Sequence, residues 1–83
     1  MNITVLTPDK EIFSGAIKSV KVPGQDSQFQ VLKNHAAIVS ALAEGEVTIA
    51  KEDGSKIKFQ IEKGFLEVLR NEVSLLVQGY KEN

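Results

Sequence analysis

The run KIKFQI, residues 56–61, sets lysine or glutamine at every second place, with Ile57, Phe59 and Ile61 between them. A side-chain period of two is the mark of an extended strand that lays one face on a core and the other in water. The same cadence returns along the chain. QFQVL puts Phe29 and Val31 on one side and Gln28 and Gln30 on the other, and EVSLLV supplies an inward row of Val73, Leu75 and Val77. In AIKSVKV the strict alternation sets Lys18, Val20 and Val22 on one face and Ile17, Ser19 and Lys21 on the opposite one. The segment ITVLT, rich in β-branched side chains, reads as a first strand ending at Pro8-Asp9.

Turn chemistry separates these runs. Pro23-Gly24 closes one strand, and Asp53-Gly54 stands between EVTIAK and KIKFQI, where it supplies the positive backbone angles of a tight hairpin. A second hairpin joins FLEVLR to EVSLLV around Arg70-Asn71-Glu72, with Gly64 marking where its first strand begins. One segment reads differently. Asn34 suits a helix cap, AAIVSALA has partly helical composition and Gly45 suits a helix stop, so local rules lean towards one short helix there. Nowhere else is a period of 3.6 sustained, which predicts an all-β fold, a compact antiparallel sandwich or barrel. With 83 residues the chain makes one small domain spanning residues 1–83, with no internal repeat or linker. A domain of that size hides only about 60% of the surface its unfolded chain exposes.

Composition removes several classes of function. Ten basic residues stand against eleven acidic ones without long blocks of either sign, which speaks against nucleic acid and anionic lipid as partners. With no cysteine there is neither a disulfide framework nor a thiolate metal site, and a cytoplasmic setting is the default. The longest apolar stretch, AAIVSALA, falls far short of the roughly 20 residues that span a bilayer, so direct membrane insertion is not expected. His35 is the only histidine, and none of the serines lies in a Gly-x-Ser-x-Gly elbow, so no catalytic residue is assigned. One histidine and scattered carboxylates make no metal site, and no glycine-rich loop opens a helix to cradle a phosphate. No metal or cofactor is expected. Phe29, Phe59 and Phe65 read as inward-facing core residues rather than a stacking platform for bases.

Taken in order, TPDKEIFSG, the Val22-Pro23-Gly24 turn, FQVLKNHAAIVSAL and the closing KGFLEV resemble the amino-terminal domain of the ATP synthase epsilon subunit family over nearly the whole chain. The resemblance implies a β-sandwich of about ten short strands in which AAIVSALA is a strand, tertiary pairing overriding local propensity. It implies a non-catalytic subunit at the foot of the central stalk, peripheral on the cytoplasmic face of the cell membrane. There it would join the gamma subunit to the loops of the c-ring and couple proton flow to ATP synthesis. By position, Thr7, His35 and Ser40 would face gamma, while Gln25, Asp26, Ser27, Gln28 and Phe29 would form the turn that meets the c-ring. For His35 the plain alternative is a hydrogen-bonded histidine that ends a strand.

Such a role asks for stiffness rather than a pocket, and for a monomer when isolated. Departures from the family pattern are local. Ser27 and Gln30 replace glycines, Lys33-Asn34 replaces proline-glycine and Ala37 replaces a proline. Asn34 accepts a left-handed backbone more readily than most residues, which compensates for the lost glycine. Gln28 stands where a glutamate is common, so a charged c-ring contact would shift to Asp26. The helical hairpin with which longer members restrain hydrolysis and, in some, bind ATP has no counterpart after Tyr80, so neither behaviour is expected of this sequence. A second reading comes from Asp9-Lys10, similar to the modified lysine of lipoyl and biotinyl carrier domains, although here the pair stands at the first turn rather than on a mid-chain hairpin.

Overall fold

Every regular element in the computed structural model, which covers residues 1–83, is a strand. In chain order they are β1 (Asn2–Leu6), β2 (Glu11–Pro23), β3 (Gln28–Leu32), β4 (Ile38–Leu42), β5 (Gly45–Lys51), β6 (Lys56–Ile61), β7 (Lys63–Leu69), β8 (Glu72–Gln78) and β9 (Lys81–Glu82). Two layers result. One runs β4-β7-β8-β1-β2 and the other is built of β3, β2, β5, β6 and β9, so that β2 belongs to both. Its first half pairs with β1, and its second half lies between β3 and β5.

Sixteen buried apolar side chains drawn from both layers form one core, with Phe59, Ile3, Ile49 and Leu75 among the largest fully enclosed. Val73, Leu75 and Val77 make the inward row of β8, and Phe59 and Ile61 that of β6, as the alternation predicts. Both hairpins form where turn chemistry places them. Gly54 adopts φ 90°, while Arg70 and Asn71 adopt φ 50° and 64°, the mirror-image turn whose twist matches that of its flanking strands.

Four features differ from what local pattern alone reads. Local rules lean towards a helix over AAIVSALA, but Ile38–Leu42 is a strand, as the family resemblance implies, paired antiparallel to β7 with Ser40 opposite Leu66. Asn34, at φ 67°, bends the chain into that strand instead of capping a helix. The open edge of β7 supplies hydrogen-bond partners that outweigh the local preference. Second, Ile17 is buried alongside Val20 and Val22, because the pairing of β2 with β5 shifts between Ile17 and Ser19 and the extra residue, Lys18, turns outward. A bulge of this kind resets the period of two.

Third, Phe65 faces out, 58% exposed, and Leu66 and Val68 face in. A one-residue change of register exchanges the two faces of a strand, and an inward Phe65 would carry the Glu67 carboxylate into the core. Gly64 shares the inward face, where an added Cβ would stand 2.6 Å from the Leu76 carbonyl oxygen. Fourth, β1 pairs parallel to β8, with Ile3 opposite Val73 and Val5 opposite Leu75, whereas every other named pair is antiparallel.

Candidate functional site

Both faces of the β4-β7-β8-β1 portion carry apolar side chains. Leu66, Val68, Val73 and Leu75 point into the core, whereas Phe65, Leu69 and Leu76 on the same strands are roughly half exposed and Val39 on β4 is 73% exposed. The registers place Ala41 opposite Phe65, Phe65 opposite Leu76 and Leu76 beside Leu6, giving an unbroken apolar row across four strands on the outer surface. The neighbouring row, Val39, Glu67, Ser74 and Thr4, is mixed.

At the Leu6 end the row opens into a groove of about 600 Å³, bounded by Leu6, Thr7, Pro8, Gln25, Ala41, Leu42, Phe65 and Leu76. Lys63 is the only charged side chain lining it, so the groove holds no pair of groups for acid-base chemistry. A surface free of pockets was the sequence expectation. The groove arises because β1 gives way to the Pro8-Asp9 turn beside the β2–β3 hairpin, while β4 and β8 continue past it. The signal for the apolar row was present in the sequence: Phe65-Leu66, Val68-Leu69 and Leu75-Leu76 are adjacent apolar pairs inside strands, and of each pair only one member can reach the core.

The residues expected to meet gamma are spread along this layer. Thr7 borders the groove, half-buried, with its hydroxyl taken up by its own turn: Oγ1 accepts from the backbone N–H of Asp9 at 3.2 Å and of Lys10 at 3.1 Å. Ser40 lies mid-strand on β4 with its hydroxyl 3.3 Å from the Ala41 carbonyl. His35 stands in the β3–β4 loop, beyond the far end of β4. Its Nδ1 is 2.7 Å from the Ala36 carbonyl oxygen, which can only accept, so Nδ1 carries the proton and a neutral ring leaves Nε2 as a free acceptor. Thr7 and His35 therefore sit towards opposite ends of β4.

The residues expected to meet the c-ring are contiguous on the β2–β3 hairpin. Gln25, Asp26, Ser27 and Gln28 are exposed, but Phe29 is half-buried and packs on the core. Phe29 also covers Gly24, where an added Cβ would lie 2.9 Å from its ring. Gln25 borders the same groove as Thr7, so the two expected contact sets adjoin there. Lys10 is exposed in the β1–β2 turn, its backbone carbonyl accepting from Thr7 N–H at 2.9 Å.

The β-sandwich domain of the ATP synthase delta/epsilon chain family matches residues 1–82. This chain belongs to that family. It is 43% identical over 76 residues to the ATP synthase epsilon chain of Chlorobium limicola, a match covering 92% of this chain and 86% of the relative. Against the ATP synthase epsilon chain of Protochlamydia amoebophila it is 38% identical over 77 residues, covering 93% of this chain and 52% of that longer relative. Its fold recurs in a chain of the Euglena gracilis mitochondrial ATP synthase OSCP/F1/c-ring structure, with TM-score 0.90, 22% identity and coverage of 96% of this chain and 51% of that one. It recurs again in the central stalk/c-ring structure of the Tetrahymena thermophila enzyme, with TM-score 0.83 and 16% identity over 98% of this chain and 65% of that one.

Proposed function

We propose that this chain is a non-catalytic adaptor in the central stalk of a rotary ATP synthase, peripheral on the cytoplasmic face of the membrane. It holds the gamma subunit on one side and the c-ring loops on the other. The observation that carries this reading is the outer apolar row of Leu6, Ala41, Phe65 and Leu76: a small domain that has already filled its core keeps four further apolar side chains in a line on one layer. A surface of that kind marks a place where protein meets protein. The row receives gamma, with Thr7 along the same layer and His35 at its far corner; Ser40, in register with the inward Leu66, lies on the other face of β4 and reaches gamma only from the edge of that strand. The exposed tip Gln25 to Gln28 engages c-ring loops through neutral hydrogen bonds and the Asp26 carboxylate. A close-packed interior passes strain between the two contacts, because dense protein cores compress little.

The test is calorimetric titration of purified gamma subunit with the wild-type chain and with Phe65→Glu and Leu76→Glu, folding being checked by circular dichroism. Wild type binds, and each variant loses at least about thirty-fold in affinity while keeping its fold, the scale of an interface hot spot. A wild type that ignores gamma, or variants that bind it undiminished, would overturn the reading.

A further inference from the structure

Three residues other than glycine adopt positive φ: Asn34, Arg70 and Asn71. Two of them meet. The Asn34 backbone N–H donates to Asn71 Oδ1 at 2.7 Å, and Asn71 Nδ2 donates back to Asn34 Oδ1 at 3.2 Å, across 37 residues of sequence. The Asn71 carbonyl also accepts from the backbone N–H of Asn2 at 3.0 Å, so this one turn residue ties down both the start of β1 and the loop that carries His35.

The ties of residues 33–37 to the rest of the molecule are few. His35 N–H donates to the Leu32 carbonyl at 3.1 Å and its ring bonds Ala36, both within the same stretch of chain. The pair of bonds to Asn71 is the only hydrogen-bonded link from this loop to another element. The second place of a mirror-image two-residue turn ordinarily favours glycine, which adopts that backbone freely. Here Asn71 occupies it at φ 64°, and the side chain that glycine would lack is the one that grips the loop.

We propose that Asn71 is a positioning residue: it fixes the 33–37 loop in one conformation and thereby presents His35, with Nε2 free, to the neighbouring stalk subunit. The docking part rests on the function proposed above; the fixing of the loop does not. Two substitutions separate the side chain from the turn. Asn71→Gly keeps a residue suited to positive φ and removes the grip. Asn71→Asp keeps an acceptor for the Asn34 N–H and restores it.

Amide hydrogen exchange of the free protein, NMR signals of the His35 ring and titration with purified gamma subunit read the outcome. In Asn71→Gly the Asn34 amide loses its protection, the His35 signals broaden and gamma affinity falls on the order of five-fold, the worth of one net hydrogen bond. The melting temperature does not fall, since glycine suits the turn, and Asn71→Asp returns all three readouts towards wild type. An Asn34 amide equally protected in Asn71→Gly overturns the proposal whether or not gamma binds. A freed loop with unchanged gamma affinity overturns the presentation of His35. A wild type that does not bind gamma overturns the function and, with it, the docking part alone, leaving the fixing of the loop to be decided by exchange.

Discussion

The outer surfaces of the two layers are opposites. On the β3-β2-β5-β6 side, equivalent positions across four strands read Gln30, Lys21, Thr48 and Lys58, a polar row, with Lys18 and Lys56 also exposed. On the β4-β7-β8-β1 side the matching row reads Ala41, Phe65, Leu76 and Leu6. Strand pairing and a shared core are common to both, so folding alone explains the first surface and not the second. Lysines along a strand also discourage stray association of sheets, a safeguard that the apolar row gives up. One layer hides its apolar side chains when the chain folds; the other still shows a line of them.

The largest expected effect tests the part the two layers share. Phe59→Ala, which empties a fully buried site between them, should cost about 3–5 kcal/mol in urea unfolding, a large share of what holds a small domain together. Phe65→Ala alters a ring of similar size on the outside, and its stability cost should stay below about 1 kcal/mol. If the two substitutions cost the same, the outward register of β7 is wrong. Next, Gly64→Ala should cost about 1–3 kcal/mol, because the new methyl must displace the Leu76 carbonyl at the base of the apolar row. Gly54→Ala meets nothing within 4 Å and pays only for its φ of 90°, about 1 kcal/mol. Matching unfolding curves for these two variants would show that β7 and β8 do not approach so closely.

The smallest effect lies on the polar side. Burial, and then the charge of Glu82, push the Tyr80 hydroxyl above its ordinary value near 10. Its ring stands 5.1 Å from that of Phe59. A folded-state pKa raised above the unfolded one gives stability that is intact below the unfolded value and is lost as pH rises through the folded value. Unfolding free energy measured from pH 9 to 11 should therefore fall more steeply in wild type than in Tyr80→Phe. Parallel curves would mean that Tyr80 is no better shielded than in the unfolded chain.

The alternating runs and turn pairs carried much of the fold: β6, β8 and both tight hairpins follow from residues 53–61 and 70–77 alone. What local pattern could not give was pairing at a distance. Ile17 reaches the core only because β5 forces a bulge at Lys18, and β4 is a strand only because β7 offers it an edge. Phe65 was misassigned because the GFLEVL run is compatible with two registers until Glu67 is weighed. Among the expected contact residues, the turn at Pro23-Gly24 and the inward side of Phe29 were readable from turn chemistry and alternation, but the close cover of its ring over Gly24 was not, since it depends on the missing side chain there. The Asn34–Asn71 grip spans 37 residues and leaves no trace in either segment by itself.

The parallel pairing of β1 with β8 also orders events during synthesis. Of these nine strands β1 is made before the others; it is flanked on one side by β2, and on the other by residues that are made only after Leu69. The β5–β6 hairpin can zip up early, being local, whereas the Ile3 and Val5 side chains must stay partly wet until Val73 and Leu75 arrive. During that wait an incomplete chain shows an unpaired, β-branched edge, the species most in need of a holding chaperone.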